Sequence, residues 1–269
     1  MLTPLKISIV VPCYNESESI LEFYRVITGV MNEKYRYELI LVNDGSSDET
    51  LSIIKDLTTK NDEVKFISFS RNFGHQNALK AGLDLADGDA VISLDADLQH
   101  PPRMIPTLIE KWLEGNDVVY TVREEHESIG WFKKVTSRTF YRLMNSLSET
   151  KLEMGASDFR LLDRKVVDVL KSMPESSLFI RGMISWVGFN QLAIPYKADE
   201  RFAGVSKYTL KKMIKLASSG ITSFSIKPLK ISIYLGVFLA FLAFAFVVYA
   251  LIIHFFTEQA IPGWASVVV

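Results

Sequence analysis

A chain of 269 residues has room for one sizeable globular domain and a membrane segment, which excludes a long multidomain array. Its 30 basic and 31 acidic side chains leave a formal net charge of −1, which argues against a nucleic-acid binder, where a basic globular domain is expected. The single cysteine, Cys13, rules out an internal disulfide, fits a reducing compartment and reads as a small buried residue at a strand end.

The stretch Met1 to Pro12 is too short for a cleavable signal peptide, and its apolar run predicts a strand. Ile7 to Val11, Glu38 to Val42, Val64 to Phe69 and Ala90 to Leu94 are short, β-branched and nearly all apolar. Such runs predict strands buried on both faces of a parallel sheet. Between them Ser17 to Met31, Asp48 to Thr59 and His75 to Leu85 have helical length, and a helix over Pro102 to Glu114 leads to a fifth strand over Asp117 to Val122. This alternation predicts a doubly wound α/β layer. From Ser128 to Leu147, Phe132, Val135, Thr139, Phe140, Leu143 and Leu147 share one helical face, while Lys134, Arg138 and Arg142 form a basic stripe. That stripe reads either as a solvated helix side or as a surface facing lipid phosphate.

The last quarter differs in kind. Six lysines and no acid fall between Lys207 and Lys230, followed by 23 uncharged residues from Ile231 to Ile253. As a helix at about 1.5 Å per residue, that run is about 35 Å long and crosses a hydrocarbon core of about 30 Å. Just before it, Leu210, Met213, Ile214, Ala217 and Ile221 share a narrow arc, with Lys207, Lys211, Lys212 and Lys215 opposite. This is the pattern of a helix lying in the membrane interface. The lysines orient the span, so residues 1–230 are expected on the cytoplasmic face of the cell membrane. The expected division is a catalytic domain over 1–206, a basic juxtamembrane segment over 207–230 and a transmembrane helix over 231–256. Residues 257–269 read as a short loop and the opening of a second apolar segment.

In open α/β sheets, ligands bind beyond the carboxyl ends of the strands. There the sequence sets four polar loops: Pro12 to Glu16, Asn43 to Asp48, Ser70 to Gly74 and Asp95 to His100. Each alone is ordinary turn chemistry. Together they carry five carboxylates, Glu16, Asp44, Asp48, Asp95 and Asp97. Asp95 and Asp97, two apart after an apolar strand, point to the same side if the chain stays extended, and such a pair calls for a cation. Hard oxygen donors suit Mg2+ or Mn2+ completed by water and phosphate. No G-x-G-x-x-G or G-x-x-x-x-G-K-[ST] string occurs, which disfavours a dinucleotide oxidoreductase or P-loop NTPase.

Val10-Val-Pro-Cys-Tyr-Asn-Glu16, Val42-Asn-Asp-Gly-Ser-Ser-Asp48 and Leu94-Asp-Ala-Asp-Leu-Gln-His-Pro-Pro102 resemble the family 2 glycosyltransferases of GT-A fold. Ser137 to Arg142, Gly155 to Arg164 and Arg201 to Tyr208 narrow the resemblance to the polyprenyl-phosphate type, the bactoprenol glucosyltransferases and dolichyl-phosphate-mannose synthases. Val205 departs from the acidic or polar residue that many relatives carry there. The resemblance implies a Rossmann-like, mostly parallel catalytic domain, then interfacial helices and a C-terminal transmembrane helix. It implies that Pro12, Tyr14, Glu16, Asp44, Asp95 and Arg201 bind the nucleotide sugar, and that Asp97 with Gln99 binds the metal. Arg138, Ser206 and Lys207 would meet the acceptor phosphate or lipid. Arg201 also has a plain reading as a surface residue. Asp158 is usually taken as catalytic base in such enzymes, yet a phosphate monoester is already largely dianionic at neutral pH, with a second pKa of about 6, so an orienting role is expected instead.

The activity implied is metal-dependent, inverting transfer of a hexose to membrane polyprenyl phosphate, undecaprenyl phosphate in bacteria. UDP-glucose is the expected donor, with UDP-N-acetylglucosamine, UDP-galactose and GDP-mannose open. A homo-oligomer and a membrane flippase partner are compatible with this reading. A processive polysaccharide synthase is an alternative, but no Q-x-x-R-W string occurs. A catalytically silent nucleotide-sugar-binding scaffold is another, against which the intact Asp95, Asp97 and Asp158 argue.

Overall fold

The computed structural model describes residues 5–31, 34–123, 155–174, 179–196 and 227–256. A seven-stranded sheet organises the first four of these stretches. In chain order come β1 (Lys6–Cys13), α1 (Ile20–Met31), β2 (Arg36–Asn43), α2 (Thr50–Lys60), β3 (Val64–Ser68), α3 (His75–Leu85) and β4 (Ala90–Ser93). A 3-10 turn (Pro102–Met104) leads into α4 (Ile105–Leu113) and β5 (Val118–Arg123). Then follow β6 (Ala156–Asp163), α5 (Arg164–Ser172), α6 (Ile180–Trp186), β7 (Gln191–Tyr196) and α7 (Lys227–Phe256).

The strand order is β3-β2-β1-β4-β6-β5-β7. All pairs are parallel except the two that β6 makes, with β4 and with β5. The apolar runs alternate their side chains between two cores. Ile7, Ile9 and Val11 face α1, α2 and α4, where Phe23, Ile27, Ile54 and Leu108 are buried. Val10, Ile40 and Val42 face α3, α5 and α6, where Leu79, Val167 and Met183 are buried. Each fully buried large apolar side chain contributes about 1.5–3 kcal/mol, which is why this two-faced pattern dominates the fold. On the second face α3 approaches closely at Gly82, where a Cβ would stand 2.2 Å from Val10 Cγ1.

Two helix starts lie later than the periodicity predicts, for capping reasons. The Glu16 carbonyl accepts from Ser19 N and Ile20 N, so 17–19 forms a turn and α1 begins at Ile20. Asp48 accepts from Thr50 N at 3.0 Å and lies one residue before the N-cap Glu49, so α2 begins at Thr50. Residues 156–196 hold two strands and two helices for which the sequence analysis offered no elements.

At the amino ends of the strands, Glu38 is buried beneath a ring of donors. It accepts from Ser8 Oγ at 2.5 Å and Asp87 N at 3.0 Å, and its carboxylate lies 3.0 Å from Lys6 Nζ and 2.6 Å from Lys65 Nζ.

Helix α7 has 30 residues and is apolar on all sides. Its segment Leu229–Ile253, 25 residues with mean hydropathy 2.8, is long and apolar enough to cross a membrane. Helix α7 itself begins at Lys227, four residues before the expected span, with Pro228 in its first turn, where a missing N–H costs nothing.

Candidate active site

Because β1, β2, β3 and β4 run parallel, their four polar loops emerge at one rim, and hydrogen bonds tie each loop to the next. Asn15, at φ +53°, donates its N–H to Ser46 Oγ at 3.0 Å and accepts from Ser47 N at 2.9 Å. Glu16 N donates to Thr50 Oγ1 at 2.8 Å. Asp44, buried beneath the third loop, accepts from Phe73 N at 2.7 Å and Gly74 N at 3.0 Å. Gly45 passes so close to this loop that a Cβ would fall 2.2 Å from the Arg71 carbonyl carbon, and its φ of +66° disfavours a side chain as well.

The fourth loop is not extended as the sequence suggested. Strand β4 stops at Ser93, and Asp95 to Leu98 turns, with Leu98 at φ +59°. Burial still alternates: Leu94 and Ala96 sit in the core, while Asp95 and Asp97 are half-exposed. Asp97 Oδ1 accepts the Gln99 N–H at 3.1 Å, so this carboxylate and the Gln99 side chain belong to one tight turn. His100 closes the loop from below. Its Nδ1 accepts the Asp95 N–H at 3.3 Å, and its ring stacks on Phe159 with centroids 5.5 Å apart.

Asp95 faces across the rim to the first residue of α3. Its Oδ1 lies 2.9 Å from His75 Nε2. Burial opposes the Asp95 charge, but the His75 hydrogen bond and the two imidazoles hold its carboxyl below the ordinary value. Burial likewise opposes charge on His75, yet Asp95 and Asp158 raise its pKa to about 9, so the ring carries a proton at neutral pH.

Asp158 arrives from the other half of the sheet. Antiparallel pairing sets Ser93 opposite Arg160, so the start of β6 lies beside the end of β4, and Ser93 Oγ donates to the Asp158 carbonyl at 2.6 Å. The Asp158 side chain, 11% exposed, sits in the fork of Arg181, with Nε to Oδ1 at 2.7 Å and Nη2 to Oδ2 at 2.9 Å. Arg160 Nη2 is 3.6 Å from Oδ1, and His75 Nδ1 is 3.9 Å from Oδ2. Burial opposes the Asp158 charge, but Arg181, His75 and Arg160 outweigh it and hold the carboxyl far below the usual carboxylate range. A carboxylate so held does not collect protons near neutral pH and stays paired with its arginines.

The structure thus brings Tyr14, Glu16, Asp44, Asp95, Asp97, Gln99 and Asp158 to one rim, with Pro12 inside β1 opposite Val42. Tyr14 is exposed, and Glu16 Oε2 accepts from Ser19 Oγ at 3.0 Å. Arg138, Arg201, Ser206 and Lys207 lie outside the described residues, as do the amphipathic segments 128–147 and 207–221. The sequence analysis did not single out His75, Arg160 or Arg181. A buried aspartate on a strand requires a cation, and that requirement was the available signal for the two arginines.

Among the described residues, no group of three or more His, Cys, Asp or Glu side chains is gathered to hold a metal unaided. The Asp97 carboxylate and Gln99 amide are hard oxygen donors within one turn, which fits a Mg2+ or Mn2+ ion that completes its shell with water and phosphate.

The model of glycosyl transferase family 2 matches residues 8–170, well over half of the chain. The chain belongs to glycosyl transferase family 2. It is 47% identical over 266 residues to the uncharacterized glycosyltransferase YkcC of Bacillus subtilis, covering 98% of this chain and 82% of that one. It is 43% identical over 266 residues to the bactoprenol glucosyl transferase of Shigella phage SfV, covering 98% and 87%. The subfamily resemblance carried by the motifs therefore holds over nearly the whole chain, and the protein is a glycosyltransferase. Among solved structures, glucosyl-3-phosphoglycerate synthase from Mycobacterium tuberculosis, in complex with Mn2+, uridine diphosphate and phosphoglyceric acid, superposes with a TM-score of 0.54 at 19% identity, over 80% of this chain and 75% of that one. The mannosyltransferase PcManGT from Pyrobaculum calidifontis, in complex with GDP-Man and Mn2+, gives 0.51 at 20% identity, over 72% and 56%. At such identities the likeness is one of fold, and it agrees with the mixed, mostly parallel GT-A sheet.

Proposed function

We propose that this glycosyltransferase moves one hexose from a nucleotide sugar to a membrane polyprenyl phosphate, with glucose from UDP-glucose and undecaprenyl phosphate as the pair to test first. The observation that carries this reading is the lock of Asp158 into the Arg181 fork beside Asp95 and His75, on a chain that also carries a membrane-length apolar helix. A proton-collecting base is what an alcohol acceptor would need. A phosphate monoester, already largely dianionic at pH 7, needs cations and alignment instead.

The rim offers both. Arg160, Arg181 and protonated His75 set three positive charges beside the carboxylates Asp95 and Asp158, so the Asp158 side of the site is rich in cations. Those cations offset the repulsion between an acceptor phosphate and a donor diphosphate brought into one site. Asp95 would contact ribose and diphosphate, and Asp97 with Gln99 would hold Mg2+ or Mn2+. When bound, that ion would neutralise charge on the departing nucleoside diphosphate. In-line attack by the phosphate oxygen gives inversion at the anomeric carbon. Tyr14, Glu16 and the Asp44-ordered loop would bound the nucleotide, and Arg201, Arg138, Ser206 and Lys207 would serve the phosphates and lipid. The catalytic domain over 1–206 would face the cytoplasm, with 207–230 and the helix over 231–256 holding it at the headgroups. A homo-oligomer and a flippase that consumes the glycolipid would complete the system.

The test is the full chain in membrane extract with each labelled nucleotide sugar, a short polyprenyl phosphate and Mg2+ or Mn2+. Metal-dependent labelled lipid with inverted anomeric configuration is the expected product. Labelled polymer would replace this reading with a processive synthase, and no product from any donor would replace it with a binding scaffold.

A further inference from the structure

Three consecutive residues, Gly74 before α3 and His75 and Gln76 at its start, reach the second loop, the fourth loop, β6 and α6. Gly74 N donates to Asp44 of the second loop. His75 Nε2 meets Asp95 in the fourth loop at 2.9 Å, and its Nδ1 faces Asp158 on β6 at 3.9 Å. Gln76 Oε1 accepts from Ile180 N at 2.9 Å, 104 residues away, at the first residue of α6. The next residue of α6 is Arg181, whose fork grips Asp158. The His75 ring therefore stands between the carboxylate on the donor side and the carboxylate–arginine pair on the other side, and its neighbour Gln76 fixes the helix end that carries the arginine.

We propose that His75 is a positioning residue that couples the two halves of the reaction centre, holding Asp95 and the Asp158–Arg181 pair in one register through a ring hydrogen-bonded to Asp95 and facing Asp158 at 3.9 Å. This rests on the function proposed above and goes beyond it by assigning a task to a side chain outside the sequence motifs. Asp95 and Asp158 carry like charges, and without a positive group between them they repel. The ring removes that repulsion and fixes the spacing between nucleotide and acceptor. A shift of about 1 Å in such spacing is enough to cost on the order of a hundredfold in rate.

The coupling is measurable on the full chain in detergent or membranes. His75→Ala is expected to lower kcat at least about tenfold, with KM for the nucleotide sugar raised less than about threefold. His75→Gln keeps an N–H for Asp95 but no charge for Asp158, so it is expected to recover part of kcat. The deciding measurement is a double-mutant cycle with Asp158→Asn. If His75 bridges the halves, the double variant loses at least about fivefold less kcat than the product of the two single losses. Losses that multiply, or a His75→Ala enzyme with wild-type kcat, overturn the proposal while leaving the proposed function intact. If the wild-type chain makes no glycolipid, the proposed function has failed, and the same cycle is read on thermal midpoints. There, additive shifts overturn the coupling and non-additive shifts support it.

Discussion

The two ends of the sheet carry ion clusters of similar chemistry and opposite character. At the amino end, Glu38 is 2% exposed and its carboxylate is surrounded by Ser8, the Asp87 N–H, Lys6 and Lys65. At the carboxyl end, His75 is 40% and Asp95 37% exposed, and only Asp158 is enclosed by cations. The loops at that end hold the left-handed Asn15 and Leu98 and the close-packed Gly45. A charge whose partners all come from the protein stabilises the fold and offers nothing to a ligand. A charge with one side left to solvent can meet a substrate, and strained turns hold it in position.

Substitutions at the two ends should therefore separate stability from activity. Glu38→Ala removes one partner from a buried ionic network and is expected to cost about 3–5 kcal/mol in chemical denaturation, with unchanged kcat per folded molecule. A large kcat loss at full folding would break the contrast. Asp97→Asn should do the reverse, lowering kcat/KM at least about a hundredfold, or about 2.7 kcal/mol of transition-state stabilisation, with the melting temperature unmoved. Gly45→Ala lies between, because its Cβ would press on the Arg71 backbone. It is expected to cost about 1–3 kcal/mol and also to raise KM for the nucleotide sugar by displacing the Ser70 to Gly74 loop. The smallest effect concerns pH. His75 holds its proton more tightly in the folded state, with a pKa raised to about 9. Its contribution is complete below the ordinary histidine value of about 6.5 and is lost as pH rises through about 9. The exposed ring is partly screened, so the wild type should lose only about 2 °C of melting temperature over that window. His75→Gln should lose less, and equal losses in the two proteins would assign the titration elsewhere.

The half of the sheet around β1 to β4 was legible because its strands are nearly unbroken apolar runs and its loops are rich in turn residues. In the other half only β5 was legible, from the apolar run after Asp117, and the reason lies in β6 and β7. The β6 sequence, Ala-Ser-Asp-Phe-Arg-Leu-Leu-Asp, sets Ser157, Asp158 and Arg160 inside the protein, so a central strand lacks the apolar signature. Strand β7 contains Pro195, which suits its edge position but weakens the pattern. The aspartates of the site were readable from their loops. The cations were not, because His75 and Arg181 sit on the first residues of helices and meet their carboxylates only through long-range packing.

The insertion of β6 between β4 and β5 also sets an order of assembly. Strands β1 to β4 can pair as soon as residue 93 has left the ribosome, since each already has its neighbour. Strand β5, which ends at Arg123, has no such neighbour until β6, which begins at Ala156 after 32 intervening residues, is synthesised. The nascent protein thus completes the four loops of β1 to β4 first and acquires Asp158 and Arg181 late, so a chain interrupted before β6 lacks the carboxylate–arginine pair of the rim.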